Sequence, residues 1–187
     1  PAGGLIHLAS SLAVRAFDAF SGPTHEGVSL TSNRGVNGID GTLATAFGQA
    51  RLWPGPVGVL LGDLAFLHDV GTLATQGRTW DGPPFVCVVL DNQGGGIFDH
   101  LPISKHPSAF EAHFVTPPKA DIAAIAAPLA HDSLSVSSSG ALDDALKAAF
   151  KRPGVSVIHV PFDRKSDLEL HHSLWERGGL AAEEALS

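Results

Sequence analysis

Two stretches, VGVLLGD (57–63) and FVCVVLDN (85–92), contain no charged or hydrogen-bonding side chain until they end on Asp63 and on Asp91-Asn92. A strand with one wet face alternates apolar and polar residues, whereas a strand apolar at every position is covered on both sides. Two such runs call for a sheet sandwiched between layers. Parallel strands are the arrangement in which that burial is the rule.

The rest of the chain supplies the layers. Short strand patterns lie at 5–9, 27–31, 133–136 and 155–160, beside the two long ones at 57–62 and 84–90. Between them run helical stripes. The first is 10–20, with Leu12, Ala13, Ala16, Phe17 and Phe20 inward. The second is 39–52, with Ile39, Leu43, Ala46, Phe47 and Ala50 inward. A third spans 64–75 through Leu67, Val70 and Ala74, and a fourth 119–130 through Ile122, Ile125, Ala126 and Leu129. The fifth, 139–151, has Ser138 or Ser139 as its cap and Pro153-Gly154 as its stop. Residues 92–118 read as a long Gly/Pro/His loop, and the polar tail from 163 as a terminal helix. This alternation predicts an α/β fold: a doubly wound, mainly parallel sheet with helices on both faces and right-handed connections. Ligands in such folds bind outside the carboxyl ends of the strands.

A chain of 187 residues suits a single domain. A net charge of −7 without a basic run excludes nucleic acid and anionic membrane surfaces as natural partners. The single cysteine, Cys87, rules out an internal disulfide and fits a reducing, cytoplasmic setting. No stretch reads as a membrane span or a signal peptide. The chain opens at Pro1 and has no methionine. We therefore expect residues 1–187 to be the C-terminal domain of a longer protein.

Both acidic strand endings fall where ligands bind. Asp63 follows Gly62 and precedes a helix, whose first N–H groups attract anions. A carboxylate there repels a phosphate unless a cation stands between them. Mg²⁺ fits, because it takes hard oxygen ligands and shares them with phosphates. Asn92 offers a neutral oxygen at the second strand end, and the glycines after it let the backbone turn and present the Gly94 carbonyl. Taken alone, Gly-Asp at a strand end and a Gly-rich turn are also ordinary features of parallel folds. Asp91 reads as a turn residue rather than a ligand. The ten histidines show no zinc spacing and read as surface or structural groups.

Gly62-Asp63-Leu64 and Asp91-Asn92 together resemble the diphosphate-binding motif of the thiamine-diphosphate enzymes, Gly-Asp-Gly followed by Asn-Asn. The departures leave Asp63 and Asn92 intact. SNRGVNGIDGTLATAFG (32–48), GDLAFLHDVGTLA (62–74) and DNQGGGIFDHLP (91–102) further resemble the menaquinone-pathway synthases of that family.

The resemblance implies thiamine diphosphate and Mg (or Mn) as cofactors, with Asp63, Asn92 and Gly94 as metal ligands. Ile39, Gly62, Leu64 and Gly95 would hold the cofactor. Ser11, Arg15, Arg34, Ile97, Phe98 and Leu101 would meet the substrates. Those are 2-oxoglutarate, which loses carbon dioxide, and isochorismate, which receives the remaining four carbons. It also implies that no residue of this chain is the activating acid. In the family that acid is a glutamate of an N-terminal domain, usually on another subunit of a homodimer or homotetramer. A domain on its own should then be inactive. Two other functions remain open on the residues alone. One is another thiamine-diphosphate decarboxylase or synthase with a different acceptor. The other is a non-catalytic α/β domain serving assembly or regulation.

Overall fold

The computed structural model describes residues 1–22, 27–33, 35 and 38–186. Six strands form one sheet: β1 (Gly4–Leu8), β2 (Val28–Ser32), β3 (Val57–Gly62), β4 (Phe85–Asp91), β5 (Asp132–Ser135) and β6 (Val155–Pro161). Their order is β2-β1-β3-β4-β6-β5, and every neighbouring pair is parallel. The helices are α1 (Leu12–Phe20), α2 (Thr42–Ala50), α3 (Asp63–Gln76), the single turn α4 (Pro107–Phe110), α5 (Ile122–Ala126), α6 (Ser139–Ala149) and α7 (Arg164–Leu186).

The two uninterrupted apolar runs are the central strands, β3 and β4. Successive side chains point to opposite faces. Phe85, Cys87 and Val89 join the core that includes residues of α2, α3 and α5, while Val86 and Val88 pack with α6 through Ala145, Ala149 and Leu146. Burial on both sides raises the Cys87 thiol far above its ordinary pKa and leaves it inert. The centre of the larger core is aromatic. Phe47 of α2 stacks on Phe85 at 4.0 Å between ring centroids, and Trp80 meets Phe47 edge-on at 5.7 Å.

The chain runs from β1 outward to β2, then returns to place β3 on the other side of β1. That reversal opens a crevice between the carboxyl ends of β1 and β3. Caps fix the helices around it. Ser138 Oγ accepts the Ala141 N–H and starts α6; Asp121 does the same for α5 through Ala124. The start of α2 carries no cap of its own. The Asp69 carboxylate of α3 reaches it instead, accepting from Gly41 N at 2.9 Å and Leu43 N at 2.7 Å.

Three expectations need correction. The α1 stripe enters the core only at Ala13, its one fully buried residue, and Phe20 is 47% exposed. In α3 the fully buried apolar positions are Ala65, Phe66 and Leu73; Leu67 and Val70 pack against the core partly buried, as expected, while Ala74 lies outside. Residues 92–118 are not structureless. They fold as 3₁₀ turns at Gly96–His100 and Pro102–Lys105, then α4, then a π turn at Glu111–Val115. Arg164, at the start of α7, clamps this string by pairing with Asp99 at 3.2 Å and with Glu111. Among the described residues no helix is long and apolar enough to cross a membrane.

Candidate functional site

Asp63 is the first residue of α3 and is buried. Its Oδ1 accepts from Leu64 N at 2.8 Å and its Oδ2 from Gly94 N at 2.7 Å, which ties the end of β3 to the loop after β4. Burial raises its pKa, and nearby Asp91 pushes the same way against these two N–H donors. Among the described residues no cationic side chain pairs with it.

The loop is shaped by Asp91 and three glycines. Asp91 Oδ1 accepts from both Gln93 N (2.9 Å) and Gln93 Nε2 (2.8 Å), holding Gln93 at φ +62°. Gly94 follows at φ +125°, where a Cβ would sit 2.3 Å from the Val115 carbonyl oxygen. A Cβ on Gly95 would lie 2.5 Å from the Phe114 carbonyl, and one on Gly96 would lie 2.2 Å from Asn92 Nδ2. Backbone therefore requires glycine at 94 and 95, while a side chain at 96 would displace the Asn92 amide. Asp91 takes the turn-forming part expected of it. Despite its own burial, its pKa is lowered by hydrogen bonds from His159 and Gln93.

These groups line a cavity of about 470 Å³. Gly62, Asp63, Leu64, Asn92, Gly94 and Gly95 sit on one side of it, with Ile39, Ile97 and Phe98 as apolar wall. Ser11 and Arg15 also line it. Arg15 Nη1 donates to the Ser11 backbone carbonyl at 2.6 Å, and Ser11 has the left-handed φ of +70°, a strained conformation for a residue with a side chain. Leu101, 47% exposed, lines an adjoining cavity of about 370 Å³, which has Leu12, Arg15, Ala16, Ile97 and His171 in common with the first. Arg34 falls outside the described residues.

Sequence reasoning missed several groups. Ser10 is buried with its hydroxyl unpartnered and lines the main cavity. Its signal was position alone, a polar residue just past the end of β1. Phe162, just past β6, and Asp167 and His171 of α7 reach the same cavity. Their signal was absent, because nothing local says where a terminal helix docks. The histidines form no cluster of three metal-binding side chains among the described residues. His100, His171 and His172 gather around Trp175.

The donor set suits a hard cation. Among the described residues, Asp63 gives a carboxyl oxygen without a cationic partner, and the Asn92 side chain makes no protein hydrogen bond. The Gly94 carbonyl accepts from Gly96 N at 2.9 Å and keeps a second lone pair. A divalent ion would supply the missing positive charge and use all three oxygens.

Comparison with known proteins agrees. The family described as "Thiamine pyrophosphate enzyme, C-terminal TPP binding domain" matches residues 20–160, and this chain belongs to it. Among relatives, it is 42% identical over 166 residues to 2-succinyl-5-enolpyruvyl-6-hydroxy-3-cyclohexene-1-carboxylate synthase of Rubrobacter xylanophilus, covering 89% of this chain and 28% of the relative. The enzyme of the same name from Chlorobium phaeovibrioides is 34% identical over 186 residues, covering 99% of this chain and 32% of that one. The chain thus spans less than a third of the length of these relatives. The solved structure of benzoylformate decarboxylase from Polynucleobacter necessarius shares the fold, with a TM-score of 0.65 at 23% identity over 86% of this chain and 30% of that one.

Proposed function

We propose that residues 1–187 are the diphosphate-binding domain of a thiamine-diphosphate-dependent synthase. That enzyme would decarboxylate 2-oxoglutarate and add the remaining four carbons to isochorismate; in support, the relatives are named for a product that carries a succinyl group and an enolpyruvyl group on a cyclohexene carboxylate. The observation that carries the cofactor part is the buried Asp63 carboxylate, bonded across two strand ends to Gly94 and lacking a cationic partner. Asp63, the Asn92 side-chain oxygen and the Gly94 carbonyl would hold Mg²⁺, whose charge would offset that of the diphosphate. When bound, thiamine diphosphate supplies the electron sink for decarboxylation.

This chain's own residues bind, orient and exclude water. The N-terminus of α3 would attract the anionic tail, with Leu64 N already donating to Asp63. Ile39, Ile97 and Phe98 wall the reacting end. Arg15 offers a planar donor pair to a substrate carboxylate, and Arg34 would serve as a second. The acid that activates the cofactor comes from elsewhere in the enzyme. In support, the acidic residues lining the cavity are Asp63 and Asp167, with no glutamate among its described lining. A neighbouring subunit of a homo-oligomer would supply it.

The test is calorimetric titration of the full-length native chain with thiamine diphosphate and Mg²⁺. We expect saturable binding that Asp63→Ala weakens at least 100-fold, and mass spectrometry should find the succinylated cyclohexene product. No binding by the unaltered protein would refute the cofactor reading. Binding together with a different product would refute the choice of substrates alone.

A further inference from the structure

Asp91, the residue before Asn92, is buried, and its carboxylate shapes the turn that leads to Gly94. Buried polar atoms need hydrogen-bond partners, and the second oxygen of Asp91 finds one across the sheet.

His159 of β6 points its Nε2 at Asp91 Oδ2, 2.8 Å away, with the His and Asp side chains 12% and 3% exposed. Its other ring nitrogen, Nδ1, lies 3.0 Å from Ser135 Oγ on β5. A hydroxyl donated to Nδ1 leaves the proton on Nε2, where it faces the carboxylate. Backbone register keeps this arrangement in place: Val89 pairs with His159 and Asp91 with Pro161 across β4 and β6, and Phe162 N donates to the Asp91 carbonyl at 2.9 Å. The other Asp91 oxygen holds both nitrogens of Gln93, and the next residue is Gly94, which grips Asp63. An unbroken hydrogen-bonded chain therefore runs Ser135–His159–Asp91–Gln93 into the loop that would carry the metal ligands.

We infer that His159 is a positioning residue for the cofactor loop, donating to Asp91 so that the turn at Gln93 and Gly94 keeps Asp63, Asn92 and the Gly94 carbonyl converged. This rests on the proposed cofactor site. Outer partners of this kind orient metal ligands, and their loss costs about 10–100-fold in metal affinity.

The experiment measures Mg²⁺-dependent binding of thiamine diphosphate to the full-length native chain by calorimetry, with thermal unfolding of the cofactor-free protein alongside. His159→Leu should raise the dissociation constant about 10–100-fold. His159→Gln, which keeps an N–H donor, should recover most of that loss. The double variant Asp91→Ala/His159→Leu should bind no more weakly than Asp91→Ala alone, since His159 acts through Asp91. A His159→Leu protein that binds as tightly as the original overturns the inference, as does a double variant markedly weaker than Asp91→Ala. If His159→Leu does not fold, His159→Ala is compared with His159→Gln in the same way: weaker binding by His159→Ala supports the inference, and equal binding by the two overturns it. Absence of binding by the unaltered protein instead refutes the cofactor site itself.

Discussion

α1 and α2 are both nine-residue helices with an apolar stripe, and they meet opposite fates. In α2, Leu43, Ala46, Phe47 and Ala50 all disappear into the core. In α1 the stripe becomes a wall: Leu12, Ala13 and Ala16 line the main cavity, and Ala19 and Phe20 line the second. An apolar stripe records that something must cover it, not what does. The helix next to the strand-order reversal is left facing a crevice, while the helix over the closed sheet is sealed. Core helices should answer to truncation with stability, and crevice helices with binding.

The sharpest way to break that contrast is to cut one phenylalanine from each. Phe47→Ala removes a ring stacked on Phe85 and should destabilise by about 3–5 kcal/mol, read from urea unfolding. Phe20→Ala, which loses an edge contact with His171 at 5.4 Å, should cost no more than about 0.5–1.5 kcal/mol. Equal losses at the two positions would mean that α1 is as much a core helix as α2.

A smaller effect tests how α2 is held. Asp69→Ala leaves the start of α2 without its cap, and a loss of about 1–2 kcal/mol is expected. Asp69→Asn, which keeps an accepting oxygen, should restore most of it. An unchanged denaturation midpoint for Asp69→Ala would show that water caps the helix equally well.

Asp69 also marks what a sequence can and cannot disclose. The strands were legible because β3 and β4 are apolar throughout, a pattern with one good solution. Asp63 and Asn92 were legible as a pair because each closes such a run. Asp69 was not, because its role lies in a contact with backbone 26 residues earlier in the chain. His159 was hidden for the same reason, with 68 residues separating it from Asp91. α1 misled because its periodicity is genuine and only the topology says that no layer lies over it. The extent of α7 was obscure because it buries no residue fully and docks through Arg164, His171 and Trp175 at separate points.

Beneath α2 sits a pH-sensitive group that α1 lacks. His7 of β1 is buried, with Nδ1 3.0 Å from Thr31 Oγ1, whose hydroxyl in turn donates to Gln49 of α2, and with Nε2 unpartnered. Burial lowers its pKa below the ordinary 6.5, only partly offset by Gln49. Below that value the unfolded chain takes up a proton that the folded chain refuses, so stability falls as pH drops from about 6.5 toward the folded pKa. His7→Gln should flatten the slope of unfolding free energy against pH in that window. An unchanged slope would assign the acid sensitivity to other groups.

The smallest expected effect lies on the outer side of α2. Gly48 is exposed within the helix, and a Cβ there would meet nothing within 4 Å. Gly48→Ala should therefore stabilise the domain by about 0.5–1 kcal/mol through backbone entropy alone, leaving cofactor affinity unchanged. The same substitution at Gly94, where φ is +125° and the Val115 carbonyl blocks the added carbon, should instead abolish cofactor binding. Glycine is thus incidental on the sealed side of the molecule and required on the open one. Destabilisation by Gly48→Ala would show that the outer surface of α2 is itself covered in the native protein, most simply by another domain or subunit.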